Sequence, residues 1–199
     1  MERALLFAAK VAIERFANFS SWFTPASLRR EEHAAMFESL KELRIQFPHT
    51  GTVEWIGVRS SRDEPMVELE TVSVVERQGL LGDRYSAKRT DNRAVTLIQA
   101  EHLEVIRSLL PGSDIEPAAL RRNIVVRGIN LNAMKEVHIE IGSALLQLTG
   151  LCHPCSKMER RVGVGAYNAM RGHGGITARV LRGGDIAIGD EVRGLQVER

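Results

Sequence analysis

Cysteine is scarce in this chain of 199 residues, which contains two, and both fall in one short loop. A pair of cysteines cannot build a disulfide scaffold, and such sparse use is typical of proteins in a reducing compartment. Long apolar runs are absent as well. Residues 4–9 are apolar, but Lys10, Glu14 and Arg15 interrupt the stretch well short of the roughly 20 residues that cross a bilayer. We therefore expect a cytoplasmic protein with no membrane segment and no export signal.

Charge of either sign is not in large excess. The formal net charge of +2 is too small to favour nucleic-acid binding. Basic residues do cluster locally, in Arg121–Arg122, in Arg160–Arg161 and over residues 171–182. Such clusters suit an anionic small molecule, although a solvated surface explains each of them equally well. With 44% hydrophobic and 26% charged residues, the chain has the ordinary composition of a globular protein with one full core.

The first fifty residues predict two helices. Apolar residues recur at helical spacing over residues 2–20. A second helix is predicted to begin at Thr24-Pro25, because a capping residue followed by proline is a common helix start, and to end near residues 43–44. We predict a helical hairpin over residues 1–50, as an extension of a main domain that covers residues 51–199.

After residue 50 the pattern changes to short segments rich in β-branched residues and separated by turns. We predict strands over residues 52–58, 66–75, 93–98, 123–126, 137–141, 144–149, 176–181 and 190–195, with a turn into the closing strand over 186–192. Helices are predicted over residues 99–110, 116–120 and 156–171. Because helices do not alternate regularly with strands, a doubly wound parallel sheet is disfavoured. The pattern indicates an α+β, mainly β fold: a mostly antiparallel, barrel-like core decorated by helices.

The two cysteines, Cys152 and Cys155, lie three residues apart in a loop between a predicted strand and a predicted helix. The free N–H groups of a helix start stabilise a thiolate, and Lys157, Arg160 and Arg161 add positive charge nearby. This arrangement predicts a reactive sulfur. The residues alone leave open a structural zinc site, a thioredoxin-like dithiol, a pair of buried thiols, and a single working cysteine that binds a soft metal or carries sulfur.

Two of these alternatives fit the sequence poorly. Structural zinc normally takes four ligands, and only His153 accompanies the cysteines in the loop. A thioredoxin-like motif belongs early in a βαβ unit, whereas this loop comes late, after several strands.

Glycine-bearing loops at residues 79–85, 172–175 and 182–185 lack the spacing of a phosphate-binding loop, so they predict no nucleotide site.

Several motifs occur in the order that is found in one family. They are Gly82-Asp83-Arg84-Tyr85, the segment from Arg93 to Ile98, Arg121-Arg122-Asn123-Ile124, the pair Pro154-Cys155, and Gly172 to Leu181 followed by Gly189-Asp190-Glu191-Val192. Through this ordered set, over about residues 51–195, the chain resembles a MOSC domain. That module forms the C-terminus of eukaryotic molybdenum-cofactor sulfurases, and it also occurs in the mitochondrial amidoxime-reducing component and as stand-alone bacterial proteins.

The resemblance implies a β-barrel-like fold and a cysteine that ligates molybdenum or carries sulfur, a role that falls on Cys155. Cys152 is an addition that many members lack, and it leaves open an exchange between dithiol and disulfide. Arg93, Arg122 and Asn123 match polar pocket positions of the family, although a surface ion pair is the alternative for Arg93 and a turn or strand-end position is the alternative for Asn123. Their chemistry suits the phosphate of a pterin cofactor, because a guanidinium binds phosphate in a bidentate manner and an amide both donates and accepts.

Asp83 and His173 complete the set of residues expected at the cofactor site, as groups that could move protons. For His173, which glycines flank, the sequence favours a flexible, exposed imidazole without a role over proton transfer.

The implied function is binding of the molybdenum cofactor, molybdopterin, in support of two-electron reduction of N-hydroxylated compounds. The sequence resembles no flavin, haem or iron–sulfur site, so a partner protein is expected to supply the electrons. The alternative is a sulfur carrier in which Cys155 holds a persulfide received from a sulfur-donor protein, without bound metal. A third interpretation is an interaction module with structural cysteines. The oligomeric state and the role of residues 1–50 stay open.

Overall fold

The computed structural model describes residues 49–85, 90–110 and 115–195, together with Leu40, Leu43, Arg44, Gln46, Phe47 and Gly112. The chain divides into two compact units, residues 1–45 and residues 46–199. The first predicted helix, over residues 2–20, lies outside the described residues. Of the second, only the three residues at positions 40, 43 and 44 are described, and they are helical. The hairpin over residues 1–50 therefore stays a prediction.

The described part of residues 46–199 forms eleven strands and four α-helices. The strands are β1 (Gly51–Val58), β2 (Val67–Glu68), β3 (Thr71–Val75), β4 (Gly79–Leu80), β5 (Val95–Gln99), β6 (Ile124–Arg127), β7 (His138–Ile141), β8 (Ala144–Leu151), β9 (Ile176–Arg182), β10 (Gly184–Ala187) and β11 (Glu191–Leu195). The helices are α1 (Ala100–Leu109), α2 (Pro117–Leu120), α3 (Ser156–Val162) and α4 (Ala166–Ala169), and a 3₁₀-helix covers Leu131–Met134. Within the described residues, none of the helices combines the length and the apolar character that crossing a bilayer requires.

Seven strands close into a barrel in the order β11-β7-β8-β9-β5-β6-β1, and β1 pairs back onto β11. Neighbouring barrel strands are antiparallel except for β5 and β6, which are parallel. Strands β10, β3 and β4 form a separate antiparallel sheet, and β2 pairs with the end of β1. The mostly antiparallel, barrel-like core predicted from the sequence is confirmed.

Alternation along the strands fills the barrel with apolar side chains. In β8, Ala144, Leu146 and Leu148 are buried and alternate with partly exposed neighbours. In β7, Ile139 and Ile141 follow the same period of two. All five belong to one core cluster inside the barrel, because successive side chains of a strand point to opposite faces of the sheet.

Strands β5 and β6 are buried on both faces, which explains why they read as nearly continuous apolar runs. Leu97 and Ile124 belong to the core inside the barrel, whereas Ile98 and Val125 belong to a second cluster with residues of all four helices. This second core fixes the helices against the outer face of the two strands.

The parallel pairing of β5 and β6 positions the loops that precede them. Parallel neighbours need a long crossover, and α1 and α2 lie in that connection. The register aligns Leu97 with Ile124, so residues 93–94 and 121–123, just before the two strands, reach the same end of the barrel. The end of β1 arrives there as well, because Ile56 pairs with Ile124 in antiparallel register.

The predicted helix over residues 156–171 is wrong in its extent, because the structure breaks it into α3 and α4. Gly163 and Gly165 adopt φ values of 129° and 92°, which a continuing helix cannot accommodate. The carboxylate of Glu159 accepts hydrogen bonds from the N–H groups of Gly165 and Tyr167 at 2.8 and 2.7 Å. This carboxylate therefore holds the start of α4 against α3.

Two β predictions also need correction. The predicted strand over residues 66–75 is split into β2 and β3, and residues 184–187, read in part as a turn, form β10. Strand β10 exists because it pairs with β3 over four residues, from Gly184 opposite Val74 to Ala187 opposite Thr71. A partner more than a hundred positions away leaves no mark on the local pattern.

We expect that Gly175→Ala strongly destabilises the protein. Gly175 has a φ of 89°, and a Cβ atom there would overlap the backbone oxygen of Leu97 on β5. The loop cannot easily retreat, because the Gly175 carbonyl accepts a hydrogen bond from the Cys152 N–H at 2.8 Å. Denaturant unfolding should show a loss of at least about 2 kcal/mol in the free energy of unfolding.

Gly172→Ala is the matched control for this steric effect. Gly172 also has a positive φ, 82°, but no described atom lies within 4 Å of the Cβ position. The control variant therefore keeps the cost of a left-handed residue, about 1 kcal/mol, without the overlap. Equal losses of stability in the two variants would contradict the close contact with β5.

Candidate active site

A cleft of about 290 Å³ opens at the end of the barrel where the loops before β5 and β6 meet. We call it the cysteine cleft, because both cysteines line it. Its described lining residues come from six segments of the chain and are Arg59, Met66, Asp83, Arg84, Tyr85, Arg93, Ala94, Thr96, Arg121, Arg122, Asn123, Cys152, His153, Cys155 and Met158. The structure thus brings together six of the seven site residues that the sequence singled out.

The two cysteines differ in exposure. Both are free thiols; Cys155 is exposed, whereas Cys152 is buried, with 5% of its surface accessible. Cys155 is the N-cap residue of α3 and makes no side-chain capping bond. Cys152 follows β8, and its backbone N–H is tied to Gly175. A ligand entering the cleft therefore meets the sulfur of Cys155 on an open surface.

Arg122 is a buried cation beside the two thiols. Its Nε donates to the Gly174 carbonyl at 2.6 Å and its Nη1 to the Leu120 carbonyl at 2.9 Å. Burial lowers its pKa, while negative charge on Cys152 or Cys155 would raise that pKa. Because the guanidinium stays protonated at neutral pH, the structure holds a fixed positive charge where a thiolate or another anion approaches.

The side chain of Asn123 is used inside the fold. Its Oδ1 accepts hydrogen bonds from the Thr96 N–H at 3.2 Å and the Thr96 hydroxyl at 2.7 Å. Its Nδ2 donates to the Gly57 carbonyl at 3.2 Å. Asn123 therefore ties β6 to both β5 and β1 at the floor of the cleft, and it positions the residues around it.

Asp83 also supports the cleft through its backbone neighbours. One carboxylate oxygen accepts from the Arg59 N–H at 3.0 Å and the other from the Tyr85 N–H at 3.1 Å. These bonds hold the loop after β4 against the end of β1. Arg93, by contrast, is exposed at the cleft, and its charge acts on Arg122.

Arg59 lines the cleft and was not predicted from the sequence. It is 6% exposed, yet its Nε and Nη1 atoms are buried without a hydrogen-bond partner among the described residues. The Nε of Arg121 is in the same state. Arg121 also has a φ of 59°, unusual for a residue with a Cβ. The sequence signal that could have indicated Arg59 is its position directly after the strand predicted over residues 52–58.

The cationic groups of the cleft repel one another. Burial lowers the pKa of Arg59, and the charges of Arg121 and Arg84 lower it further. Burial likewise lowers the pKa of Arg121, with further lowering by Arg161 and Arg84. Guanidinium groups remain charged at neutral pH. The lowered pKa values therefore indicate that these cations are poorly solvated and lie close together. An anion in the cleft would relieve the repulsion.

His173, the remaining predicted residue, is not among the described residues that line the cleft. Its ring packs edge-on against that of His102 on α1, with ring centroids 5.1 Å apart. In both rings Nδ1 is buried and finds no hydrogen-bond partner in the part of the chain that the structure describes. His173 therefore connects the loop before β9 to α1.

We expect the His102 contact to make stability depend on pH. Burial lowers the pKa of His102 below its usual 6.5, and positive charge on His173 lowers it further. The unfolded chain then binds a proton more readily than the folded one, so stability is complete above about pH 6.5 and falls as the pH drops below it. Urea unfolding at pH 7.5 and 5.5 should show a smaller difference in His102→Gln than in the wild type. An unchanged difference would contradict this assignment.

The metal-binding options of the described residues are narrow. No three His, Cys, Asp or Glu side chains in the described ranges come together as a ligand set, which disfavours the structural zinc alternative there. A metal that arrives with its own ligands needs only one protein sulfur. A second, wider depression of about 650 Å³ runs between the end of α1 and the α3–α4 turn, but its described lining residues carry no ionisable side chain.

Comparisons with known proteins agree with the fold. Similar solved structures include the YuaD protein from Bacillus subtilis, at 18% identity with a TM-score of 0.65, covering 74% of this chain and 97% of that one. YiiM from Geobacillus stearothermophilus is 18% identical with a TM-score of 0.61, covering 73% of this chain and 75% of its own. YiiM from Escherichia coli is 18% identical with a TM-score of 0.59, and the match covers 76% of this chain and 72% of that one. No curated protein sequence matches the chain.

The family model of the MOSC domain matches residues 84–193. This range is more than half of the chain, and it contains the predicted motifs from Arg84 onward, including both cysteines. The chain belongs to the MOSC domain family.

Proposed function

We propose that this protein binds the molybdenum cofactor, with Cys155 as the protein ligand of the metal. The observation that carries the proposal is one exposed free thiol in a cleft that Arg93 and Arg122 also line. A thiolate is a soft ligand of the kind that molybdenum bound to dithiolene sulfur accepts. The MOSC family is associated with this cofactor, which supports the same choice.

The residues present fit the anionic part of the cofactor as well as its metal. The pterin ends in a phosphate, and Arg93 and Arg122 offer positive charge on the side of the cleft where both cysteines lie. Arg122 is held at the cleft by the carbonyls of Gly174 and Leu120, and Arg93 is exposed there. A phosphate would form charge-assisted hydrogen bonds with these two guanidinium groups.

We infer that the reaction is the two-electron reduction of an N-hydroxylated compound. An R–NH–OH substrate takes up two electrons and two protons and leaves as R–NH₂ and water. When bound, the cofactor supplies the redox change, and a partner protein supplies the electrons. The chain itself binds the metal through Cys155, fixes anions with its arginines and holds Arg122 in place through the carbonyls of Leu120 and Gly174.

Intact-mass measurement separates this proposal from a persulfide carrier. The protein is produced with ample molybdenum, purified without oxygen and measured under native and denaturing conditions. Cofactor binding predicts molybdenum and a pterin mass that survive gel filtration and leave on denaturation. A sulfur adduct on Cys155 that a reductant removes, with no molybdenum present, would instead favour the carrier and contradict the cofactor proposal.

A further inference from the structure

The arginines of the cysteine cleft fall into two groups. Burial lowers the pKa of Arg122, and the charged groups that shift it further are Cys152, Cys155 and Arg93; these residues form the group proposed above for the cofactor. Burial also lowers the pKa of Arg59, and the charges of Arg121 and Arg84 lower it further. Arg59, Arg84 and Arg121 form a second group, in which the Arg84 N–H is bonded to the Arg59 carbonyl. The cofactor proposal leaves this second group without a ligand.

Arg59 is the buried centre of the second group. It is 6% exposed, it lines the cleft, and its Nε and Nη1 are buried without a partner among the described residues. Asp83 is the one acid among the described lining residues, and its two carboxylate oxygens accept hydrogen bonds from the backbone N–H groups of Arg59 and Tyr85. Burying unpaired guanidinium nitrogens costs free energy unless a ligand accepts their hydrogen bonds.

Arg121 and Arg84 surround this centre from two other segments. Arg121 ends α2 in a left-handed conformation, φ 59°, with a buried and unpartnered Nε. Arg84 is exposed, and its backbone N–H donates to the Arg59 carbonyl at 2.6 Å, so the two residues are held side by side. Three arginines from three segments thus line the cleft, and the charges of Arg121 and Arg84 act on Arg59. Several guanidinium groups in one cleft are the arrangement that recognises a phosphate-like group.

Cys155 lines the same cleft as both groups of arginines. Negative charge on its sulfur would raise the pKa of both Arg122 and Arg121, so the sulfur is within electrostatic reach of each group. A ligand anchored at Arg59 would therefore present its remaining atoms to the same sulfur that is proposed to hold the metal.

We propose that Arg59, Arg84 and Arg121 form a subsite for a phosphate group of the substrate, so that the protein acts on phosphorylated N-hydroxylated compounds, such as nucleotides, in preference to uncharged ones. The reaction part of this inference depends on the function proposed above, but the binding part does not. Inorganic phosphate and a nucleotide share the chemistry that the subsite recognises.

Equilibrium dialysis of the full-length protein tests the subsite. The probes are N4-hydroxycytidine 5′-monophosphate and N4-hydroxycytidine, at fixed ionic strength, with cofactor-loaded and cofactor-free protein. We expect the nucleotide to bind at least about tenfold more tightly than the nucleoside, since charge-assisted bonds to phosphate are strong. Inorganic phosphate should compete with the nucleotide in both preparations.

Variants at exposed and buried positions show which arginines are responsible. Arg84→Gln, at an exposed position, and Arg121→Gln should lose most of the preference for the nucleotide and keep their molybdenum content. A folded Arg59→Gln variant should also lose the preference for the nucleotide and keep its molybdenum content. Because Arg59 is buried, the test relies on the variants at Arg84 and Arg121. Arg193→Gln is the control, because this exposed arginine pairs with Glu191 on β11, and it should keep the full preference.

Three results would overturn the inference. They are equal binding of nucleotide and nucleoside, loss of preference in the Arg193→Gln control, and loss of molybdenum from Arg84→Gln together with absence of phosphate competition in loaded protein. The last result would assign the subsite to the phosphate of the cofactor. Failure of the cofactor proposal looks different, because the protein would lack molybdenum while the nucleotide preference persisted.

Discussion

Cys155→Ser is expected to lower the molybdenum content of the purified protein at least about tenfold, because a serine hydroxyl is a poor substitute for a soft thiolate ligand. Cys155 is exposed and makes no capping bond, so the free energy of unfolding should change by no more than about 0.5 kcal/mol. Metal analysis of anaerobically purified protein, with denaturant unfolding of the same samples, measures both quantities.

Cys152→Ala is the matched control within the same loop. Cys152 is buried, with 5% of its surface accessible, so its replacement should cost about 1 kcal/mol of stability through lost packing. Its molybdenum content should stay near that of the wild type. If the two variants lose molybdenum equally, the metal is bound by the pair rather than by Cys155; if neither loses it, Cys155 is not the ligand.

Asn123→Ala is expected to be the most destabilising polar substitution in the cleft. It would leave the Thr96 N–H, the Thr96 hydroxyl and the Gly57 carbonyl without the partners that they have now. Asn123 is 7% exposed, and unsatisfied buried groups cost about 1–3 kcal/mol each. We expect a loss of about 2–4 kcal/mol in the free energy of unfolding, partly offset by water that enters the cleft.

Asn168→Ala controls for the loss of an asparagine. Asn168 is exposed on α4, so its replacement should alter stability by less than about 0.5 kcal/mol. An Asn123→Ala variant that is as stable as the wild type but binds no cofactor would contradict the structural role and return Asn123 to direct ligand binding.

The sequence predicted the barrel well because burial imposes a recognisable pattern of apolar residues within each strand. Strands β7 and β8 alternate with a period of two, and the parallel pair β5 and β6 reads as apolar runs. Elements whose partners lie far away in the chain were harder. Strand β10 exists only through its pairing with β3, and the break between α3 and α4 depends on Glu159 reaching Gly165 and Tyr167.

The sequence predicted which residues lie at the site better than it predicted what each of them does. The ordered motifs placed Cys155, Arg93 and Arg122 in one cleft, as the structure has them. A strand-end position was one interpretation of Asn123, but motifs do not reveal hydrogen bonds, so its partners Thr96 and Gly57 could not be predicted. Arg59 was missed for the same reason, since burial of an arginine after a strand is decided by the loops that close over it. His173 lies near the site in sequence but contacts His102 instead.

The most direct test of the central proposal is alkylation of Cys155 by iodoacetamide, located by peptide mass spectrometry, in native protein before and after release of the cofactor. If Cys155 holds molybdenum, its thiol is protected in the loaded protein and reacts once the cofactor is gone, while buried Cys152 reacts slowly in both. Equal alkylation of Cys155 in the two preparations, with molybdenum present in the first, would contradict it.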